Sequence, residues 1–121
     1  MEHMSMLQTA VILFAVAASG GLAMAAIRFS KNANPPAWLS MLHGLLAGAG
    51  LTLALYAAFT AGVPRLAQIG IVLLLVAAAG GALLNLGYQQ RRELLPSSIV
   101  IGHASLAVAG FACMAIAAFA S

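Results

Sequence analysis

The sequence predicts an all-α membrane protein, a four-helix transmembrane bundle made of two tandem helical hairpins. Three observations lead there. Of the 121 residues, 64% are hydrophobic and only 6% are charged, whereas a soluble domain of this length carries far more polar surface. The apolar residues fall into four runs, each close to the ~20 residues that a bilayer-spanning helix needs. The chain also repeats itself at an offset of sixty residues.

The four runs cover residues 6–28, 38–61, 66–89 and 97–120. The joints between them are R-F-S-K-N-A-N-P-P, G-V-P-R and Q-R-R-E-L-L-P, which hold nearly all the charge and all four prolines. Joints this short leave consecutive helices antiparallel, and only helices or closed barrels satisfy their backbone groups in lipid. Run one could be mistaken for a secretory signal, because A-M-A at 23–25 resembles a cleavage site. No Lys or Arg precedes it, however, and it is longer than a signal core. The opening M-E-H-M is compatible with a cloning remnant followed by a native start at Met4, so His3 is given no weight. Cys113, the one cysteine, excludes an internal disulfide and reads as a small apolar residue.

The formal charge of +3 does not mark a nucleic-acid surface, because no basic face is left once the spans are removed. It bears on orientation instead. Arg28, Lys31, Arg91 and Arg92 sit on one side and Arg65 on the other. The positive-inside rule then places the two basic loops in the cytoplasm and both termini outside, as in a bacterial inner-membrane protein.

The repeat pairs residues 10–61 with 70–121, and 15 of the 52 aligned pairs are identical. In a chain so rich in Ala and Leu some identities come free. V-A-A-S-G-G on V-A-A-A-G-G, Pro36 on Pro96, and H-G-L-L-A-G-A-G on H-A-S-L-A-V-A-G in one register do not. Each unit holds two spans, so both enter the membrane in the same direction, related by a pseudo-twofold axis along its normal. His43 and His103 then lie at one depth on helices two and four, which are diagonal in an up-down bundle. After each His the identities at +3, +4 and +7 (Leu46, Ala47, Gly50; Leu106, Ala107, Gly110) share its helical face. Both histidines are therefore expected to point inward.

A buried ionisable residue in a membrane is costly and needs a partner. Two readings compete. In one, each His simply makes an interhelical hydrogen bond. In the other, neutral imidazoles bind a metal. Zinc or copper wants three or four ligands, and only Met41, Cys113 and Met114 could add to the two histidines. Haem iron needs two axial ligands, because the porphyrin fills the other four positions. Diagonal helices stand roughly 11–14 Å apart, which suits two imidazole arms with iron between them. His43 lies seven residues past Pro36, about 10 Å below that membrane face. Gly21 is seven residues before Arg28 and Gly81 seven before Tyr88, so both Gly-Gly pairs (Gly20 and Gly21, Gly80 and Gly81) lie level with the histidines. A flat ring over a missing side chain and close helix packing, as also suggested by Gly44-xxx-Gly48, explain such glycines equally well. Arg28, Arg91 and Arg92 are candidate partners for haem propionates, with Asn85 and Tyr88 as nearby donors.

This pattern, H-x-x-L-A-x-x-G twice with two Gly-Gly pairs in a four-helix membrane bundle, resembles the small transmembrane b-type cytochromes that serve as respiratory or quinone-linked subunits. The resemblance spans the whole chain in architecture. It implies His43 and His103 as axial ligands of haem b, and electron transfer with a quinone or a partner redox subunit rather than stand-alone enzyme activity. Two histidines allow one haem, whereas many such cytochromes use four for two, so a homo-oligomer is a natural companion expectation. The competing functions are a small transporter or channel module and a structural membrane subunit that uses the His pair for packing or metal binding. The near absence of polar lining counts against transport, and no nucleophile–base pair or carboxylate dyad supports hydrolysis.

Overall fold

A computed structural model describes residues 2–120; Met1 of the opening tetrapeptide, Ser121 at the end of the expected second repeat and the side chain of His3 lie outside the described residues. Among these residues the fold is all-helical: α1 (His3–Lys31), α2 (Ala37–Thr60), α3 (Arg65–Leu84) running into a π-helical turn (Asn85–Gln89), and α4 (Ser97–Phe119). All four helices are long and apolar enough to cross a membrane, and their outward faces carry large apolar side chains such as Leu22, Phe59 and Val108. That pattern fits an integral membrane protein in contact with lipid.

The prolines set where the helices begin. Pro36, Pro64 and Pro96 stand just before α2, α3 and α4 with φ of -65°, -58° and -64°, the value the pyrrolidine ring imposes. Asn32 ends α1 in the left-handed region at φ 49°, and Arg92, sixty residues on, adopts φ 57° after the π turn. Asn tolerates this conformation well, whereas Arg is an uncommon occupant. The π turn is absent from the sequence expectation, which carried the third helix unbroken to residue 89.

The most extensive packing joins α1 to α2 and α3 to α4; α1 meets α4 less extensively, and α2 meets α3 less extensively still. That ring of contacts leaves α2 and α4 diagonal. The main apolar cluster fills the end nearer the Arg65 turn and includes Leu7, Val11, Phe14, Leu51, Ile71, Leu74 and Met114. Glycines permit the closest approaches there. A Cβ on Gly110 would stand 2.8 Å from Leu74 Cγ and 3.0 Å from the Gly70 carbonyl oxygen, and one on Gly50 would stand 2.7 Å from the Phe14 ring. Gly44 and Gly48 differ: a Cβ on either meets nothing within 4 Å, so this small-xxx-small pair makes no helix contact within the chain.

At the opposite, basic end a smaller cluster of Leu84, Leu95 and Val100 packs with Tyr88 and Ile99. A polar clasp joins the two connections beside it. Arg28, buried, donates from Nε to the Leu95 carbonyl (2.7 Å) and from Nη1 to Asn32 Oδ1 (3.1 Å). Asn34 Nδ2 donates to the Glu93 carbonyl (2.7 Å), and its Oδ1 accepts from the Leu95 N–H (2.9 Å). Gln89 Nε2 donates to the Pro35 carbonyl (2.8 Å). At the other end Gln8 Nε2 reaches the Ala118 carbonyl (3.1 Å), tying α1 to α4.

Candidate functional site

Between the two apolar clusters lies a layer of different character. None of residues 18–27, 37–49, 78–83 and 101–109 is buried, although those segments span about 10–20 Å of each helix. The two histidines occupy this layer. His43 on α2 and His103 on α4, both half-buried, bring their rings to 6.1 Å between centroids with the ring planes 79° apart. They come from diagonal helices, so the contact crosses the middle of the bundle.

Each ring is held by the neighbouring helix of its own hairpin. His43 Nδ1 lies 2.7 Å from the Ala17 carbonyl oxygen of α1, and His103 Nδ1 lies 2.6 Å from the Ala77 carbonyl oxygen of α3. A carbonyl oxygen only accepts, so Nδ1 carries the proton in both rings. In a neutral ring Nε2 is then the bare nitrogen, the one through which imidazole coordinates a metal. Gly21 and Gly81 lie directly against these rings. A Cβ on either would stand 3.0 Å from the Cε1 atom of His43 or His103, whereas Gly20 and Gly80 leave ordinary clearances of 3.9 and 3.7 Å to the histidine Cβ atoms.

The other residues singled out from sequence fall in three places. Ala47 and Ala107, with Leu46 and Leu106, are half-buried on the histidine faces, while positions 44, 45, 48 and 49 and their counterparts 104, 105, 108 and 109 are exposed. Gly50 and Gly110 belong to the main apolar cluster, where they receive Phe14 and Leu74. Arg28 is spent on the clasp, Arg91 and Arg92 are exposed at the basic end, and Asn85 in the π turn accepts from Gln90 Nε2 at 2.8 Å. Cys113 and Met114 sit at the Gly70 crossing, ten and eleven residues beyond His103 and so roughly 15 Å along the helix. Among the described residues no cluster of three or more His, Cys, Asp or Glu is present.

Ala17 and Ala77 were not distinguished by residue type, since their backbone oxygens act and any residue supplies one. Their only signal was membership of V-A-A-S-G-G and V-A-A-A-G-G, four residues before the second glycine of each. Asn34 gave no signal at all, because its partners lie 59 and 61 residues away. Comparison with known protein families, characterised proteins and solved structures gave no match to this chain.

Proposed function

We propose that the protein is a b-type membrane cytochrome that holds one haem b between His43 and His103 and passes single electrons. The approach of the two imidazoles across the bundle carries this reading. A first-row metal binds an imidazole nitrogen at about 2 Å and that nitrogen lies about 1.1 Å from its ring centre, so two rings on opposite sides of one iron have centres roughly 6 Å apart. The observed 6.1 Å matches, and both rings have Nδ1 tied to a carbonyl, which leaves Nε2 for iron. The donor set fits too: two nitrogens suffice for haem iron and fall short for zinc or copper.

When bound, haem supplies a reversible one-electron couple. The histidines would take both axial positions and leave none for dioxygen or substrate, which favours electron transfer over an enzyme reaction. Apart from Ala17 and Ala77, the residues around them are not buried, and small residues (Ala47, Ala107) flank the rings, which suits a flat macrocycle. Lys31, Arg91 and Arg92 are exposed cations available to its propionates, since Arg28 is engaged elsewhere. We read the two halves as tandem hairpins about an axis along the membrane normal; the His–carbonyl and Gly–His contacts recurring sixty residues apart support this. The basic loops face the cytoplasm of a bacterial inner membrane on the positive-inside argument, and a quinone or redox protein is the electron partner.

A structural subunit is the second reading, favoured by the same two His–carbonyl bonds, which also serve as interhelical ties. His43→Ala and His103→Ala separate the two. The cytochrome reading expects protein purified from haem-replete cells to show a sharp Soret band with split visible bands on reduction, and either substitution to abolish its low-spin form. Colourless protein, or an unchanged spectrum in either variant, supports the structural reading instead.

A further inference from the structure

We infer that Gly21 and Gly81, with the carbonyls of Ala17 and Ala77, are positioning residues that select the tautomer and set the donor strength of the two imidazoles. The haem consequence rests on the reading above, whereas the tautomer consequence does not. In a helix the carbonyl of residue 17 already accepts from the N–H of residue 21, and likewise 77 from 81. Each carbonyl oxygen has a second lone pair, which the histidine uses at 2.7 and 2.6 Å. Its ring reaches that oxygen by lying over residue 21 or 81. A Cβ there would stand 3.0 Å from Cε1 and 3.4 Å (His43) or 3.5 Å (His103) from Nδ1. Any side chain therefore pushes the ring away from its carbonyl by a few tenths of an ångström or more.

The glycine pairs split by function on this account. A Cβ on Gly20 meets only His43 Cβ at 3.9 Å and Leu39 Cδ1 at 4.0 Å, and one on Gly80 meets His103 Cβ at 3.7 Å and Nδ1 at 3.8 Å. These are ordinary contacts. The second glycine of each pair admits the ring, and the first does not need to be glycine for that purpose. The bond matters chemically because donation from Nδ1–H to a carbonyl fixes the ring orientation and makes the other nitrogen a more basic ligand. A more basic axial ligand stabilises ferric over ferrous iron, so loosening the bond raises the midpoint potential.

The test starts with haem-free protein labelled with 15N-histidine in lipid bilayers and examined by NMR. Both histidines should appear as Nδ1–H tautomers in the wild type. Gly21→Ala should shift the His43 nitrogen resonances and Gly81→Ala those of His103, while Gly20→Ala and Gly80→Ala leave both unchanged. An Nε2–H tautomer in the wild type, or Gly21→Ala indistinguishable from Gly20→Ala, overturns the inference. The wild-type tautomer decides the matter even if Gly21→Ala fails to fold. In haem-loaded protein the midpoint potential should rise in Gly21→Ala and Gly81→Ala relative to their neighbouring controls. Protein that shows the tautomers but takes up no haem removes the cytochrome reading and leaves the positioning role standing. A potential that does not move in either variant removes the claim about donor strength.

Discussion

Leu95 is gripped by both of its backbone groups: its carbonyl accepts from Arg28 and its N–H donates to Asn34. Arg28→Met removes two charge-assisted hydrogen bonds and leaves a buried carbonyl without its donor. Bonds to charged groups contribute about 1.5–3 kcal/mol each, and an orphaned buried acceptor costs about 1–3 kcal/mol. Methionine recovers part of this by burying an apolar stem, so the net loss is about 2–4 kcal/mol. Asn34→Ala removes two neutral bonds at about 0.5–1.5 kcal/mol each. For a chain of this size such losses lower the thermal midpoint by roughly 10 °C and 5 °C respectively. Because both side chains act on one residue, the double variant should lose less than the sum, with a coupling of about 0.5–3 kcal/mol. Circular dichroism melts of the four proteins in detergent supply the cycle. Strict additivity, or an Arg28→Met protein as stable as wild type, would refute the clasp. Its loss also bears on the site, since the clasp joins the hairpin carrying His43 to the one carrying His103.

Two further predictions concern glycines and orientation. Gly110→Ala overpacks the α3–α4 crossing, where the new methyl meets Leu74 Cγ and the Gly70 carbonyl, and should cost about 1–3 kcal/mol. Gly44→Ala and Gly48→Ala, which meet nothing, should gain up to about 1 kcal/mol from helix propensity; equal losses at all three positions would contradict the packing described. In a Cys113→Ala background, Ala33→Cys should label from the cytoplasmic side and Ala61→Cys from the opposite side of the membrane. The reverse pattern would invert the proposed topology.

Much of this was legible in the sequence because bilayer length and proline position are local signals. The four runs and their joints correspond to the four helices within a few residues. The π turn at Asn85–Gln89 was not legible, since one extra residue per turn leaves no mark on an apolar pattern. Depth counting put the Gly-Gly pairs level with the histidines, yet it could not tell which group would lie over them. The imidazoles of Gly21's and Gly81's own hairpins do so. Arg28 was read as a propionate partner on charge alone; its commitment to Leu95, 67 residues away, depends on how two loops meet. Backbone oxygens such as those of Ala17 and Ala77 carry no residue-type signal at all, so half of the histidine environment lay beyond reading.

On the proposed reading, one iron lies between His43 and His103. Titration of the purified protein with haemin, followed by electron paramagnetic resonance of the ferric product, tests it most directly. Uptake should stop at one haem per chain, and the signal should be wholly low-spin, with the strong anisotropy that axial imidazole planes near the observed 79° produce. A high-spin signal with an open axial position, or haem that stays in the detergent, would contradict the account.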